Sequence, residues 1–155
     1  MYDRVITPNA KQLAKYRIGT DAVYGETITY ITDIMAKNLT RASNFVDLGS
    51  GIGNVACLMS LLTGCTSFGV EIMPHPAALA EKFVDQIKIR ARAFRIGIGT
   101  TTLEMVHGDM LTSELVREKL RAADVVFFNN KMFSPESKHF LQHKFFLTNS
   151  RCSKP

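Results

Sequence analysis

The sequence predicts an α/β fold in which helices cover both faces of a mostly parallel sheet, a doubly wound arrangement. Short apolar runs typical of buried strands alternate along the chain with longer segments of helical periodicity. One of these runs, "FVDL", leads directly into a loop with three glycines, as strands do before a ligand-binding turn. A length of 155 residues with 46% apolar residues is enough for one domain with its own core.

The first half of the chain predicts two helices and two strands. Isoleucines recur at helical spacing through "ETITYITDIMAKNL", which predicts a helix that begins at Glu26 and ends near Asn38. The segment "NFVDL" is typical of a buried strand. Residues 55–62 are apolar on nearly every face, which predicts a helix buried against the sheet, and Gly64 suits its C-terminal cap. The segment "TSFGVE" predicts a second strand that ends at Glu71.

The second half predicts a long helix, two more strands and two more helices. The long helix begins at Pro76, a favoured first helical position, and ends at Gly97. The third strand, "TLEMVHGD", ends at Asp109 and is followed by a helix through "SELVREKL". The fourth strand, "ADVVFFNN", lacks polar alternation, which predicts burial on both faces. Ser134 and Pro135 begin a further helix. The long helix has an apolar stripe formed by Leu79, Phe83, Ile87, Ala91 and Phe94. Its opposite side is basic and carries Lys88, Arg92 and Arg95.

The glycine loop in "FVDLGSGIGN" indicates a binding turn, because glycines let the backbone approach a ligand closely. Gly49, Gly51 and Gly53 depart from the dinucleotide spacing G-x-G-x-x-G. Asn54 stands where that fingerprint has its third glycine. Asp47 would repel a pyrophosphate, but it would suit an ammonium or sulfonium charge. S-adenosylmethionine carries both charges and no phosphate, so it is the predicted cofactor. A glycine loop without a ligand is the alternative.

Polar residues stand at the ends of all four predicted strands: Asp47, Glu71, Asp109 and Asn129. Because ligands bind at the carboxyl ends of parallel strands, we expect the four to surround one crevice. Glu71 has two acceptor oxygens, which suit the two ribose hydroxyls, and Asp109 can accept from the adenine amino group. Taken alone, Glu71 can equally be a solvated strand end and Asp109 a turn residue. The sequence indicates no general base, since the nearest candidate, His107, lies on a strand and is predicted to be structural.

Composition narrows the classes of partner. Lys and Arg number 19 against 14 Asp and Glu, and the net charge of +5 mildly favours an anionic partner. The three cysteines are Cys57, Cys65 and Cys152. Their odd number argues against a disulfide framework, and their spacing does not suit a metal site. The sequence therefore predicts a reducing compartment. The segment "MYDRVITPNA" lacks an apolar signal core, and the longest apolar runs are too short to span a bilayer, so no membrane association is predicted.

Five motifs occur in an order that resembles the disruptor-of-telomeric-silencing histone-lysine methyltransferases. They are "VYGET", "FVDLGSGIGN", "GVEIM", "GDML" and "VVFFNN", and the resemblance covers roughly residues 20 to 145. It implies a nuclear enzyme with a seven-strand, Rossmann-like S-adenosylmethionine fold preceded by N-terminal helices. It also implies a nucleosomal substrate, a lysine on the globular face of histone H3. The tetrapeptide "YGET" and the paired asparagines are the specific part of the resemblance.

The resemblance also assigns roles to residues of this chain. Asn129 resembles the asparagine beside the transferred methyl group, and Tyr24 belongs with it as the second catalytic candidate. Phe127 resembles a wall of the channel for the substrate lysine, and Lys131 lies at that channel. The resemblance implies a loop over the methionine end of the cofactor, formed by Tyr24, Gly25, Glu26 and Thr27. It implies that the main glycine loop contacts the cofactor through Asp47, Gly49, Gly51, Gly53 and Asn54. It also implies that Glu71 binds the ribose and that Asp109 and Met110 contact the adenine.

Three departures from the family pattern leave an alternative open. Met110 stands where the family usually has Phe, although a thioether can still pack on adenine. Lys131 also replaces a Phe, and its cation would oppose a cationic substrate. The chain ends before the family's strands five to seven, so we expect a fragment or a degenerate copy with "VVFF" as an exposed apolar edge. The alternative function is a catalytically impaired cofactor- or chromatin-binding relic. The predicted organisation is an N-terminal segment, a methyltransferase core and an irregular tail, at residues 1–25, 26–147 and 148–155.

Overall fold

In the part of the chain that the structure describes, residues 35–95 and 103–128, four parallel strands form one sheet in the order β3-β2-β1-β4. The structure is a computed structural model. Because every pairing is parallel, the carboxyl ends of the strands lie at one edge of the sheet. The strands are β1 (Asn44–Leu48), β2 (Thr66–Glu71), β3 (Leu103–His107) and β4 (Val125–Phe128).

Three helices connect these strands within the described ranges: α1 (Asn54–Thr63), α2 (Pro74–Ala93) and α3 (Glu114–Arg121). Local sequence explains their ends. The helix α1 lies between two glycines in the left-handed conformation, Gly53 with φ 80° and Gly64 with φ 73°. The N-cap of helix α3 is Ser113, whose Oγ accepts a hydrogen bond from the Val116 N–H at 3.4 Å.

The predicted α/β class and parallel sheet are confirmed, and the bounds of β1 and β2 are those predicted. The long helix α2 begins two residues before the predicted Pro76. Pro74 also fits the first turn, where a missing N–H breaks no helical hydrogen bond. This helix also ends earlier than predicted, since Phe94 is its C-cap and Arg95 adopts φ 53°. The predicted stop at Gly97 lies outside the described residues.

The predicted end of the third strand and the predicted start of the fourth strand were wrong. The strand β3 stops at His107 rather than at Asp109, because the chain turns through hydrogen bonds at Asp109. The strand β4 begins at Val125, and its four residues are half-buried, whereas burial on both faces was predicted. Position explains the difference, because β4 pairs with β1 on one side and with no other described strand.

The core has two layers, one on each face of the sheet. On one face, which we call the α1–α2 face, Phe45 and Met105 pack with Ala56, Met59 and Phe83. On the opposite α3 face, alternate residues of β1 and β2 pack against Val116 and Leu120: Val46, Leu48, Phe68 and Val70. Helices on both faces of a parallel sheet make the arrangement doubly wound, as predicted.

The start of β1 is fixed to the start of β4 by a reciprocal hydrogen-bonded pair. The Asn44 N–H donates to Asp124 Oδ2 at 2.8 Å, and the Asp124 N–H donates to the Asn44 carbonyl at 2.9 Å. The Asn44 side chain donates to the Ala122 carbonyl at 3.0 Å. These contacts set the register of the two strands, and so they place the ends of β1 and β4 side by side.

The predicted helix from Glu26 to Asn38 lies mostly outside the described residues, as does the helix predicted from Ser134. At the end of the former, the Asn38 N–H donates to the Met35 carbonyl at 3.1 Å. Among the helices of residues 35–95 and 103–128, none combines the length and hydropathy that a membrane crossing requires.

Candidate functional site

The glycine loop (49–53) joins β1 to α1 at the carboxyl edge of the sheet. Its glycines all have positive φ, with values of 73° at Gly49, 56° at Gly51 and 80° at Gly53. The N–H groups of Gly49 and Ser50 both donate to the Val70 carbonyl, at 2.9 and 3.0 Å. The Gly53 N–H donates to the Ser50 carbonyl at 2.8 Å. The first two amides hold the loop against β2 and the third closes the loop on itself, so none of the three points outward as it would toward a phosphate.

Glu71, at the end of β2, connects the glycine loop to the β2–α2 turn (71–73). Its Oε2 accepts from the Gly51 N–H at 2.9 Å, and its Oε1 accepts from the Met73 N–H at 2.8 Å. The side chain is 8% exposed. Each carboxylate oxygen can accept a second hydrogen bond, so the pair of ribose hydroxyls predicted for Glu71 still has acceptors available.

Asp47 lies beneath the glycine loop and is 2% exposed. Its carboxylate accepts a hydrogen bond from the backbone of Ala56, in the first turn of α1. The N-cap of that helix, Gly53, has no side chain with which to cap it. The pKa of Asp47 is raised from its ordinary value of 3.8 to about 7: burial is the largest cause, the Ala56 hydrogen bond lowers the pKa, and the charge of Glu71 raises it.

The charge of Asp47 affects the pKa of the Cys57 thiol. Burial raises the pKa of Cys57 to about 12, Asp47 raises it as well, and Lys88 on α2 lowers it. A thiol that stays protonated is a poor nucleophile, so Cys57 is a packing residue of the α1–α2 face.

Asp109 and Met110 form a turn after β3. Asp109 Oδ1 accepts from the Leu111 N–H at 2.8 Å, and the Asp109 carbonyl accepts from the Ser113 N–H at 3.0 Å. One carboxylate oxygen therefore closes the turn, and Oδ2 has no hydrogen bond with residues 35–95 or 103–128. Met110 is half-buried and packs against the core on the α3 face.

Gly69, in the middle of β2, lies beneath the glycine loop and was not predicted to matter. A Cβ atom at Gly69 would lie 2.4 Å from Met105 Sδ and 2.9 Å from both Cβ and Oγ of Ser50. The Met105 thioether also lies under Gly53, where a Cβ would be 3.1 Å from Sδ. Met105 therefore fills the space left by two glycines. A glycine inside a strand is a sequence signal of close backbone approach that could have identified Gly69.

The β2–α2 turn presents apolar side chains beside Glu71. Ile72 is 57% exposed and Met73 is 38% exposed. The Ile72 carbonyl is held by His107, whose Nε2 lies 3.0 Å away. His107 pairs in register with Glu71 across the two strands. The structure therefore makes His107 a binding partner of the turn, whereas the sequence predicted only a generic structural role for it.

The predicted site residues fall into two groups. Asp47, Glu71 and the glycine loop come together at one edge of the sheet, and α1 begins there with the half-buried Asn54. Phe127 pairs in register with Asp47 and packs against the core on the α1–α2 face. The second group lies outside the described residues, so its predicted roles stay predictions: Tyr24, Gly25, Glu26, Thr27, Asn129 and Lys131.

This fold is that of S-adenosylmethionine-dependent methyltransferases. The chain is similar to the solved structure of an RNA methyltransferase from Salinibacter ruber in complex with S-adenosyl-L-homocysteine, with a TM-score of 0.57. The two are 20% identical, and the match covers 79% of this chain and 68% of that one. At such low identity the likeness shows the fold alone.

The sequence comparisons identify the family within that class. Residues 2–153 match the family model described as "Histone methylation protein DOT1", so the chain belongs to the DOT1 family. It is 39% identical over 151 residues to an Emericella nidulans protein named "Histone-lysine N-methyltransferase, H3 lysine-79 specific". A Chaetomium globosum protein of the same name is 41% identical over 147 residues. The matches cover 93% and 94% of this chain but 30% and 28% of those relatives, so the chain spans less than a third of their length.

Proposed function

We propose that this chain carries the cofactor-binding part of a nuclear histone-lysine N-methyltransferase. The proposed reaction transfers a methyl group from S-adenosylmethionine to a lysine on the globular core of histone H3 in nucleosomes, the lysine 79 named for the relatives. Family membership and the fold support the reaction class. The charge and hydrogen bonding of the site support the cofactor.

The observation that carries the proposal is the combination of loop amides that are already hydrogen-bonded with two buried carboxylates. The N–H groups of Gly49, Ser50 and Gly51 all donate to β2, so they offer nothing to a pyrophosphate. Asp47 and Glu71 are 2% and 8% exposed and place two acidic groups beneath the loop, where they can pair with a cation. Such a site suits a nucleoside ligand that is cationic and lacks phosphate, and S-adenosylmethionine meets both conditions.

The residues present fit the parts of this cofactor. Asp47 would hold the ammonium of its amino-acid end, and Glu71 would accept from its ribose hydroxyls. The exposed side chain of Ile72 and the turn at Asp109 would border its adenine. When bound, S-adenosylmethionine supplies an electrophilic methyl group, which an amine takes by direct displacement. What the chain contributes to this reaction is positioning and charge.

The substrate lysine must be neutral to attack, and its ordinary pKa of about 10.4 makes deprotonation at pH 7 cost roughly 4 to 5 kcal/mol. A dry channel beside a positive sulfur would lower that pKa. The channel wall proposed here includes Phe127, which is half-buried on β4. No general base is proposed among the described residues, and the contact that the structure shows for the His107 imidazole is the one from Nε2 to the Ile72 carbonyl.

A catalytically impaired cofactor- or chromatin-binding protein is the second candidate. Lys131 favours it, because a cation near the channel would repel a cationic lysine. The two candidates differ in one assay. Cofactor binding with methyl transfer to nucleosomes supports the enzyme, and cofactor binding without transfer, restored by Lys131→Phe, supports the impaired form.

Calorimetry should show that S-adenosylmethionine binds this chain and that NAD does not. Glu71→Ala should weaken cofactor binding by about 1 to 3 kcal/mol, since it removes charge-assisted hydrogen bonds to the ligand and frees the Gly51 N–H. Glu81→Ala is the matched control, because Glu81 is an exposed acid on α2. Tighter binding of NAD would contradict the cofactor assignment, and equal affinities in both variants would remove Glu71 from the site.

Nucleosomes should be far better substrates than free histone peptides, and the basic face of α2 should contribute. Lys88 and Arg92 lie in the last two turns of that helix, and Arg95 follows its C-cap, Phe94; Arg92 and Arg95 are exposed. Replacing all three with Gln should weaken nucleosome binding and reduce the slope of log affinity against log salt by up to about 2.7, or 0.9 per phosphate contact.

A matched control removes three positive charges from α3 instead. Arg117, Lys119 and Arg121 each contact a glutamate, so they are less available to phosphates. Changing these three residues to Gln should leave most of the salt slope intact. Equal salt slopes for the two triple variants, or equal methylation rates on peptide and nucleosome, would rule out docking through Lys88, Arg92 and Arg95.

A further inference from the structure

We infer that His107 is a positioning residue for the adenosine end of the cofactor, and that it acts by fixing Ile72. This inference rests on the proposed function. It begins from a contact between the ends of two neighbouring strands, in which the imidazole Nε2 of His107 lies 3.0 Å from the Ile72 carbonyl. A carbonyl oxygen only accepts, so Nε2 carries the hydrogen of this bond.

The β2–α2 turn is held at three points, two of which come from the end of β3. The Gly108 N–H donates to the Glu71 carbonyl at 3.0 Å, and His107 donates to the Ile72 carbonyl. The third is internal to the turn, where the Met73 N–H donates to Glu71 Oε1 at 2.8 Å. Among residues 35–95 and 103–128, His107 supplies the one side-chain hydrogen bond to Ile72, so it is the contact that a substitution can remove.

Ile72 is the residue whose placement matters for a nucleoside. Its side chain is 57% exposed at the carboxyl edge, directly after the carboxylate that would bind the ribose. An exposed aliphatic surface beside a ribose-binding carboxylate is suited to the flat face of a base. A base packed there buries apolar area only if the side chain stays in place, and the His107 bond restrains the peptide that carries it.

The chemistry of the side chain gives a sharp set of variants. A glutamine amide nitrogen lies about as far from its Cα as the imidazole Nε2, so His107→Gln should keep the bond to Ile72. An asparagine nitrogen corresponds to Nδ1 and falls short, so His107→Asn should behave like His107→Ala. Because His107 is exposed, none of the three changes disturbs the core.

The test measures binding of S-adenosylhomocysteine and of methylthioadenosine, which lacks the amino-acid end, to the whole chain. His107→Ala and His107→Asn should each lose about fivefold in affinity for both ligands, the usual effect of one hydrogen bond, and His107→Gln should stay within twofold of the parent. An equal loss for both ligands places the effect at the adenosine end. Asp47→Asn is the reference, because it should weaken only S-adenosylhomocysteine.

The outcomes separate the inference from the proposed function. If the unchanged chain binds neither ligand, the proposed cofactor is wrong and the role of His107 falls with it. If the unchanged chain binds and His107→Ala binds equally well, the role of His107 alone is refuted. That role is also refuted if the Gln, Asn and Ala variants all lose affinity alike, because the bond to Ile72 would then not be the cause.

Discussion

Asp47→Asn should make the protein more stable at neutral and higher pH, although it removes a charge proposed to bind the cofactor. Asp47 is 2% exposed, and burial raises its pKa from 3.8 to about 7. Such a rise in pKa corresponds to roughly 4 kcal/mol against the ionised form in the folded state. An asparagine keeps an acceptor oxygen for the Ala56 N–H without that cost.

The direction of the pH effect follows from proton binding. Between pH 3.8 and about 7, the folded chain keeps the Asp47 proton and the unfolded chain does not. The contribution of Asp47 to stability is therefore fully present below pH 3.8 and is lost as pH rises through 7. Urea unfolding of the parent and of Asp47→Asn from pH 5 to pH 8 should give curves that diverge as pH rises. Parallel curves would show that Asp47 is not protonated in the folded state.

Cofactor binding should depend on pH in the opposite direction. An ammonium group selects the ionised form of Asp47, so affinity for S-adenosylhomocysteine should rise by about tenfold per pH unit below 7. The carboxylate of Glu71 and the thiol of Cys57 are the ionisable groups near Asp47 on the adjoining elements. Asp47→Asn should bind weakly and without this pH slope. Calorimetry in two buffers of different ionisation enthalpy would detect the released proton in the parent, and its absence there would refute the pairing.

The sequence predicted β1, β2 and the site residues at their ends because those signals are local. Each strand is a short apolar run that stops at a carboxylate, and the glycine loop follows one of them directly. The end of β3 was mispredicted because it depends on a local turn at Asp109 and also on contacts with the turn after β2. His107 and Gly108 bond to the turn after β2, and the side chain of Asp109 bonds back to its own turn. Periodicity within "TLEMVHGD" carries no information about those partners.

The packing beneath the glycine loop also depends on residues that are distant in sequence. Asp47, Gly69 and Met105 lie opposite one another on β1, β2 and β3. Their common row follows from the strand order and register, and neither follows from any single segment. The burial that raises the pKa of Asp47 has the same origin, since a strand-end aspartate is more often solvated. The sequence therefore predicted that Asp47 lies next to the glycine loop, but not that burial raises its pKa.

Gly69→Ala should destabilise the fold by about 1 to 3 kcal/mol, the usual cost of overpacking, and should weaken cofactor binding as well. The added Cβ would lie 2.4 Å from Met105 Sδ and 2.9 Å from Ser50 Cβ. The thioether can move, because it is near the end of a flexible side chain. Ser50 is less free, since its N–H donates to the Val70 carbonyl at 3.0 Å. The methyl group must therefore push the glycine loop away from β2.

Two further variants separate the parts of this effect. Gly108→Ala is the control, because a Cβ there meets only Val70 Cγ2 at 3.8 Å, an ordinary contact, and its stability should change by less than about 0.5 kcal/mol. Adding Met105→Ala to Gly69→Ala removes the clash with sulfur and keeps the one with Ser50. If the Gly69→Ala methyl group displaces the glycine loop through Ser50, the double variant should still bind S-adenosylhomocysteine poorly. Recovery of the parent affinity in the double variant would instead assign the whole effect to Met105, and the contact between β2 and the glycine loop would lose its proposed role in shaping the site.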